Sequence, residues 1–252
     1  MAWAKGPYDR ENGLDLGRTM GKNFARAGAP YRVVPENPPP PDRRPVPFEP
    51  PTAHDRVVVE QRQLRHRATY MLGITRRCRH GYPQAFLCTP LRIVGSTIAA
   101  ESAAFWLSCP LLVRAVDALE AEGWIRTLED RVRKDPALWT EVKRVHQSVI
   151  ELRRGLLPAD WLRRLETDPA LKHQRWILFQ TGLAGITRPD HVKCLHAHLA
   201  DYLSRGANPL GRIVAELLKR RRIPLEGTPD CWRCCRPELC GTPESAAQIS
   251  GV

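Results

Sequence analysis

The order of apolar and polar residues predicts a small β-sheet in the N-terminal half of the chain. Three short runs, 70–76, 84–88 and 104–108, are rich in aromatic and aliphatic residues and have the length of strands. The turn-forming sequence HGYP separates the first two, and a loop through Gly95 precedes the third. Asp55 is predicted to cap a helix just before them. We therefore expect an antiparallel or mixed sheet of about three strands.

After residue 109 the apolar residues recur with the period of an α-helix. Pro110 is favoured at the first helical position, and Gly123 is expected to end that helix. Amphipathic segments predict further helices over 124–133, 138–156 and 160–166, and a final pair over 189–203 and 209–222. The predicted fold class is α+β, with the small sheet followed by a mostly helical C-terminal half.

The chain divides into three predicted regions. Residues 1–54 form a Pro-rich tail, expected to be disordered or extended, in which nine of the 23 prolines lie between positions 35 and 51. Residues 55–225 are predicted to form one α+β domain, and residues 226–252 a Cys-rich tail. We expect a cytoplasmic protein, because no apolar run has the length of a membrane span and the first residues contain no apolar signal region.

The formal net charge of +12 is concentrated in two stretches. Residues 56–80 carry a net +6 and residues 205–222 a net +5. If these stretches meet, they form a basic face for an anionic ligand, an acidic protein or nucleic acid. The alternative, that these cations are solvated helix ends, is favoured, and nucleic acid is disfavoured because no aromatic residues interleave with the cations. The candidate anion-binding residues are Arg76, Arg77, Arg79 and Lys193.

Eight cysteines in a chain expected to be cytoplasmic favour thiol or metal chemistry over disulfide bonds. Cys109 lies where a predicted strand meets a predicted helix, so the helix N-terminus is expected to lower the pKa of its thiol. Cys78 lies in a basic loop, where neighbouring arginines act in the same direction. Each is a candidate metal ligand, redox thiol or nucleophile, and a buried structural cysteine is the alternative for Cys109.

A histidine-rich segment, HVKCLHAH, surrounds Cys194. On a helix that begins near residue 189, His191, Cys194 and His198 share one face and His196 points away. One helix is then able to offer Cys194 and His198 to the same metal ion, while His196 serves another purpose.

The C-terminal tail contains a CxxC pair, Cys231 and Cys234. This spacing lets both sulfurs turn towards one tetrahedral ion, but it supplies only half of a zinc site. The remaining ligands are expected either from Cys240 or from the domain. In the second case the metal ion fastens the tail to the domain.

Six segments resemble an uncharacterised bacterial family known as domain of unknown function 501. They are RRCRHGYP (76–83), FWLSCPLLVRAVDALEAEGWI (105–125), KRVHQSVIELRR (143–154), TGLAGI (181–186), PDHVKCLHAHLA (189–200) and ANPLG (207–211). The tail match is looser, because Trp232 follows Cys231 instead of preceding it, and the loop at 101–104 also departs from the family pattern. The resemblance implies a housekeeping role, with a link to cell division, and no established activity. It features Cys78, Cys109, Cys194, His196, Lys193 and His146.

Three functions remain open from the sequence. The favoured one is a metal-binding protein that holds zinc or an iron–sulfur cluster, because such sites are built from thiols and imidazoles of separate segments. The second is a thiol enzyme for an anionic or phosphorylated substrate, with Cys109 as nucleophile, His146 or His196 as base, and Arg77 or Arg79 on the substrate. The third is an Arg-rich adaptor for nucleic acid or an acidic partner. The candidate metal ligands are Cys78, Cys109, Cys194, His196, His198, Cys231 and Cys234.

Overall fold

The computed structural model describes residues 31–36 and 46–236. Their strands are β1 (Tyr31–Val34), β2 (Met71–Arg77), β3 (Pro83–Cys88), β4 (Leu91–Val94), β5 (Thr97–Ala100) and β6 (Phe105–Leu107). Their α-helices are α1 (Ala53–Val57), α2 (Pro110–Ala121), α3 (Trp124–Lys134), α4 (Pro136–Leu156), α5 (Ala159–Thr167), α6 (Lys172–Gln180), α7 (Leu195–Arg205) and α8 (Pro209–Arg220). The α+β class is confirmed. None of the helices in this part of the chain has the length and apolar character that crossing a membrane requires.

The sheet predicted from the sequence is formed by β2, β3 and β6. The central strand β3 pairs antiparallel with both neighbours, and Phe86 lies opposite Ile74 and Trp106. A second antiparallel sheet, in the order β1-β4-β5, is absent from the predicted elements. Its strands are only four residues long and mostly half-buried, so their alternation is weak. The turn at Gly95, which has a φ of 60°, joins β4 to β5. The sequence predicted only a loop at this position.

Part of the predicted Pro-rich tail packs on the domain. Strand β1 pairs with β4, and the ring of Phe48 covers Gly73, where a Cβ would come within 2.1 Å of it. Val46 and Phe48 are buried, and Glu49 exchanges two backbone hydrogen bonds with Ile74. The packed region therefore begins upstream of the predicted boundary at residue 55. The rest of both predicted tails, 1–30, 37–45 and 237–252, lies outside the described residues.

Helices α1 and α6 differ from the prediction. The N-cap of α1 is Thr52 rather than Asp55, and Asp55 is its partner in a capping box: Asp55 N donates to Thr52 Oγ1 and Thr52 N donates to Asp55 Oδ2, both at 3.0 Å. Helix α6 is missing from the predicted set because its polar residues come first and its apolar residues follow in one run, without a helical period.

Helix α7 begins at Leu195, six residues later than predicted near 189. In a helix that began near 189, the backbone N–H groups of residues 192 and 195 would bond to helix carbonyls. Carboxylates of α2 and α3 accept these hydrogen bonds instead. Leu195 N donates to Glu120 Oε1 at 2.7 Å, and Val192 N donates to Glu129 Oε1 at 3.0 Å. Cys194 is consequently the N-cap of α7 rather than a residue within the helix.

The main core lies between the β2-β3-β6 sheet and helices α2, α3, α4, α7 and α8. Arg153 of α4 is buried, with 2% of its surface exposed. Its guanidinium donates to the carbonyls of Thr181 (2.6 Å), Gly182 (3.0 Å) and Ser102. Burial lowers the pKa of Arg153 to about 10, so it remains charged at neutral pH. One buried cation therefore joins α4, the segment after α6 and the loop after β5.

Candidate functional site

Three ligand-bearing side chains meet where the C-terminal end of α2 approaches the start of α7. Glu120, Cys194 and His196 place one ligand atom each within 4.8 Å of one another. Cys194 Sγ lies 3.7 Å from His196 Nδ1, which lies 3.2 Å from Glu120 Oε1. All three residues are half-buried. Within residues 31–36 and 46–236, no other group of three potential metal ligands lies as close together as this Glu–Cys–His triad.

The imidazole of His196 is surrounded by acceptors. Its Nε2 lies 3.2 Å from the carbonyl of Val113 and 3.2 Å from Asp117 Oδ1. Burial acts to lower the pKa of His196, but Cys194, Glu120 and Asp117 outweigh this and raise it to about 9. A metal ion bound at one ring nitrogen displaces a proton, and the other nitrogen keeps an oxygen partner, as metal-bound histidines commonly do.

Other cysteines gather at the opposite end of α2. Cys78, Cys109, Cys231 and Cys235 line one small cavity of about 10 Å³, here termed the thiol cavity. Cys78 directly follows β2, and Cys109 is the N-cap of α2. Cys231 begins a 3₁₀ helix, Cys231–Cys234, and Cys235 follows it. Three distant segments of the chain therefore contribute thiols to one space.

Burial disfavours the thiolate form of three of the four cavity cysteines. Burial raises the pKa of Cys109 to about 11 and outweighs the backbone N–H groups of Leu112 and Leu111, which act to lower it. This reverses the expected lowering at the N-cap, because Cys109 is only 5% exposed. Burial likewise raises the pKa of Cys235 to about 12 and that of Cys231 above its usual value. Cys109, Cys231 and Cys235 are therefore neutral thiols in the cavity without a bound ion.

The two groups are separated by nearly the full length of α2. Cys109 and Glu120 lie ~16 Å apart along the helix axis at 1.5 Å per residue. The single site expected for Cys78, Cys109 and Cys194 is therefore divided: the first two lie in the thiol cavity and Cys194 lies in the triad.

A family model described as "Protein of unknown function (DUF501)" matches residues 74–216. The chain belongs to this family. The resemblance seen in the sequence is thus confirmed. Comparisons with curated proteins and with solved structures found no match. The DUF501 match includes all three residues of the triad, whereas Cys231 and Cys235 of the thiol cavity lie beyond its end.

The other candidate histidines, His146 and His198, form a separate buried pair in the DUF501 region, with ring centroids 6.4 Å apart. His146 Nδ1 accepts from Leu183 N at 3.1 Å, and His198 Nδ1 lies 3.2 Å from Asn208 Oδ1. Burial lowers the pKa of both, that of His146 to about 4. The expected shared helical face of Cys194 and His198 does not form, because Cys194 precedes the first residue of α7.

The candidate anion-binding residues do not form one cluster of free cations. Arg77 donates to Asp55 Oδ1 (2.7 Å), Asp55 Oδ2 (3.0 Å) and Glu49 Oε2 (2.8 Å). Burial acts to raise the pKa of Asp55, but hydrogen bonds from Arg77 and Thr52 outweigh it and hold this pKa at about 2. Arg77 is therefore engaged in an ion pair inside the protein. The exposed candidates are Arg76, Arg79 and Lys193.

Sequence reasoning missed one residue of each group. Glu120 lies in an amphipathic helix where acidic residues are common, so its sequence position carries no signal of a site. The CxxC spacing predicted Cys231 and Cys234 as metal ligands, so Cys235 was not among the candidates. In the structure Cys235 is buried and lines the cavity, whereas Cys234 is half-exposed and does not.

Proposed function

We propose that this DUF501 protein binds a transition-metal ion, Zn²⁺ in the first instance, at the Glu–Cys–His triad. The observation that supports this most strongly is the convergence of a carboxylate, a thiol and an imidazole within 4.8 Å from two different helices. Each of these groups is an established zinc ligand. Three protein ligands leave a fourth tetrahedral position for water or a substrate, which is the arrangement of catalytic rather than structural zinc.

The surroundings of the triad favour a mononuclear ion over an iron–sulfur cluster. The triad offers a single thiolate, whereas clusters are held by four cysteines or by cysteine and histidine pairs. Glu120 is held in place because its Oε1 also accepts from Leu195 N, and His196 is held by Val113 and Asp117. The ligands are therefore oriented before an ion arrives, which increases affinity.

The test is metal content per chain after anaerobic purification, measured by elemental analysis together with the absorption spectrum. Cys194→Ser and His196→Gln are each expected to contain about one zinc fewer than the wild type, because a site with two protein ligands left binds weakly. His191→Gln is the matched control, since His191 is an exposed histidine of the same segment that lies outside the triad. Equal zinc in the wild type and both triad variants contradicts the proposal.

A second candidate function, thiol-dependent catalysis, is favoured by the 3.7 Å contact between Cys194 Sγ and His196 Nδ1. A thiol beside an imidazole at a helix start is the arrangement of an activated nucleophile. This reactivity belongs to half-exposed Cys194 rather than to Cys109, which is buried with a raised pKa. Iodoacetamide labelling of metal-free protein separates the two: selective labelling of Cys194 in a chain that binds no zinc at the triad supports catalysis.

A further inference from the structure

We propose that the thiol cavity is a second metal site, in which Cys78, Cys109, Cys231 and Cys235 hold one Zn²⁺ ion and fasten residues 225–235 to the domain. This site is independent of the triad, because the two lie at opposite ends of α2. Four thiolates in a closed tetrahedral arrangement are the ligand set of structural zinc. The site therefore serves the fold, whereas the triad has room for a substrate.

Hydrogen bonds already hold two of the three thiol-bearing segments together. The backbone N–H of Arg79 donates to the carbonyl of Glu226 at 2.9 Å. Gln84 Nε2 donates to the carbonyl of Leu225 at 2.7 Å, and His80 Nε2 lies 2.8 Å from the carbonyl of Thr228. These contacts place the C-terminal segment against the turn between β2 and β3, where Cys78 lies. The approach of Cys231 and Cys235 to Cys78 is therefore supported from outside the cavity.

The cavity has space for a single ion. Its volume of about 10 Å³ is close to the ~10–15 Å³ that one water-sized sphere needs. An iron–sulfur cluster requires space for at least two irons and two sulfides in addition to the four cysteine sulfurs. Zinc requires space for one atom.

Three features around the cavity favour a zinc site. A Cβ at Gly227 would come within 2.7 Å of Cys231 Sγ, so a side chain at this position would displace that sulfur. Gln63 Nε2 lies 3.4 Å from Cys235 Sγ and donates to it. Such N–H donors stabilise a metal-bound thiolate. Cys109 at the start of α2 adds the positive end of the helix dipole near the developing negative charge.

Zinc binding requires the sulfurs to move inward. Tetrahedral Zn–S bonds of about 2.3 Å bring sulfurs to within about 4 Å of one another, and the four cavity sulfurs do not meet the 4.8 Å proximity that distinguishes the triad. Four thiols bind Zn²⁺ as thiolates and release four protons to solvent. We therefore expect the ion to draw the C-terminal segment closer to the domain and to restrict its local opening.

The test is zinc per full-length chain in single-cysteine variants. Cys78→Ser, Cys109→Ser, Cys231→Ser and Cys235→Ser are each expected to contain about one zinc fewer than the wild type. Cys234→Ser is the matched control, because Cys234 adjoins Cys235 in the sequence but does not line the cavity. The Cys194→Ser variant of the triad is expected to retain the zinc of the thiol cavity. A wild type with one zinc that only the cavity variants lose leaves this inference intact and contradicts the proposed triad site.

A second measurement on the wild-type protein tests the inference even if the cysteine variants fold poorly. Wild-type protein is digested with trypsin with and without a zinc chelator, and cleavage after exposed Arg233 is followed by mass spectrometry. Chelation is expected to accelerate this cleavage in the wild type and in Cys194→Ser, because the segment opens once the ion is lost. Equal rates with and without chelator, zinc contents equal to that of the wild type in all four cavity variants, or a brown iron-containing protein would overturn the inference.

Discussion

The two ends of helix α2 show two different ways of assembling metal ligands. At its C-terminal end Glu120 faces Cys194 and His196, which are close in sequence and already linked by hydrogen bonds. At its N-terminal end Cys109 faces Cys78, Cys231 and Cys235, which come from remote segments and line a buried space. The first group is oriented by hydrogen bonds of its own side chains, whereas the second is brought together by packing and by hydrogen bonds outside the cavity.

Loss of the metal ion is expected to have different effects at the triad and at the thiol cavity. Removing an ion from the triad leaves the Glu120 and His196 contacts with α2 and α7 intact, because those hydrogen bonds exist without it. Removing an ion from the thiol cavity would delete a connection between residues 225–235 and the domain. We therefore expect metal at the triad to affect mainly reactivity, and metal at the closed thiol cavity to make the larger contribution to stability.

The largest expected effect is on thermal unfolding. With free zinc about a thousandfold above its dissociation constant, the bound ion stabilises the protein by about 4 kcal/mol, which corresponds to ~8–16 °C in Tm for a chain of this size. Calorimetry of the wild type with and without chelator measures this shift. Cys194→Ser is expected to keep most of it.

Cys235→Ser is expected to show little response of Tm to chelator, and Cys234→Ser is expected to respond like the wild type. If Cys194→Ser loses the response and Cys235→Ser keeps it, the assignment of stability to the thiol cavity is reversed.

A stability control tests whether any destabilised variant loses zinc. Arg153→Lys keeps the charge but cannot reproduce the bonds to the carbonyls of Thr181, Gly182 and Ser102, so a loss of about 2–3 kcal/mol is expected. Arg153 touches neither group of ligands. Urea unfolding and elemental analysis should show lower stability with unchanged zinc content. A fall in zinc would mean that the losses in cavity variants reflect unfolding.

Much of the fold could be predicted because its signals are local. The run that became β3 is fully buried, and Pro110 and Gly123 mark the two ends of α2. The sheet β1-β4-β5 was missed because its strands are short and mostly half-buried, and because β1 pairs with β4 from within the predicted tail. The late start of α7 was missed because Glu120, a side chain 75 positions away, takes the N–H of Leu195.

The site was predictable in its residue types but not in its grouping. Cys78, Cys109, Cys194, His196 and Cys231 all reach one of the two groups. These residues fall into two groups because α2 places its N-terminal and C-terminal ends far apart. The sequence alone does not show which residues lie at which end. Glu120 and Cys235 join through tertiary packing.

Glycine at position 227 should matter to the thiol cavity alone. Its φ of +100° strains any other residue, and a Cβ would lie 2.7 Å from Cys231 Sγ. Gly227→Ala is expected to weaken zinc binding at the cavity about ten- to a hundredfold, measured by competition with a chelating dye. Gly206→Ala is the matched control, because Gly206 has a φ of +76° but a Cβ there meets nothing within 4 Å. Equal weakening in both variants would attribute the effect to backbone strain.

The smallest expected effect concerns acid and the turn that carries Cys78. Arg77 binds Asp55 and also donates to the carbonyl of Gly81, so their ion pair supports this turn. The pKa of Asp55 is about 2 in the folded protein against 3.8 ordinarily. Its contribution, on the order of 2 kcal/mol, is therefore present above pH 4 and lost as the pH falls from about 4 to about 2. Urea unfolding of metal-free protein should show this loss in the wild type. Asp55→Asn should be less stable at pH 5 and show a smaller loss in acid; parallel curves for the two proteins would refute the role of Asp55.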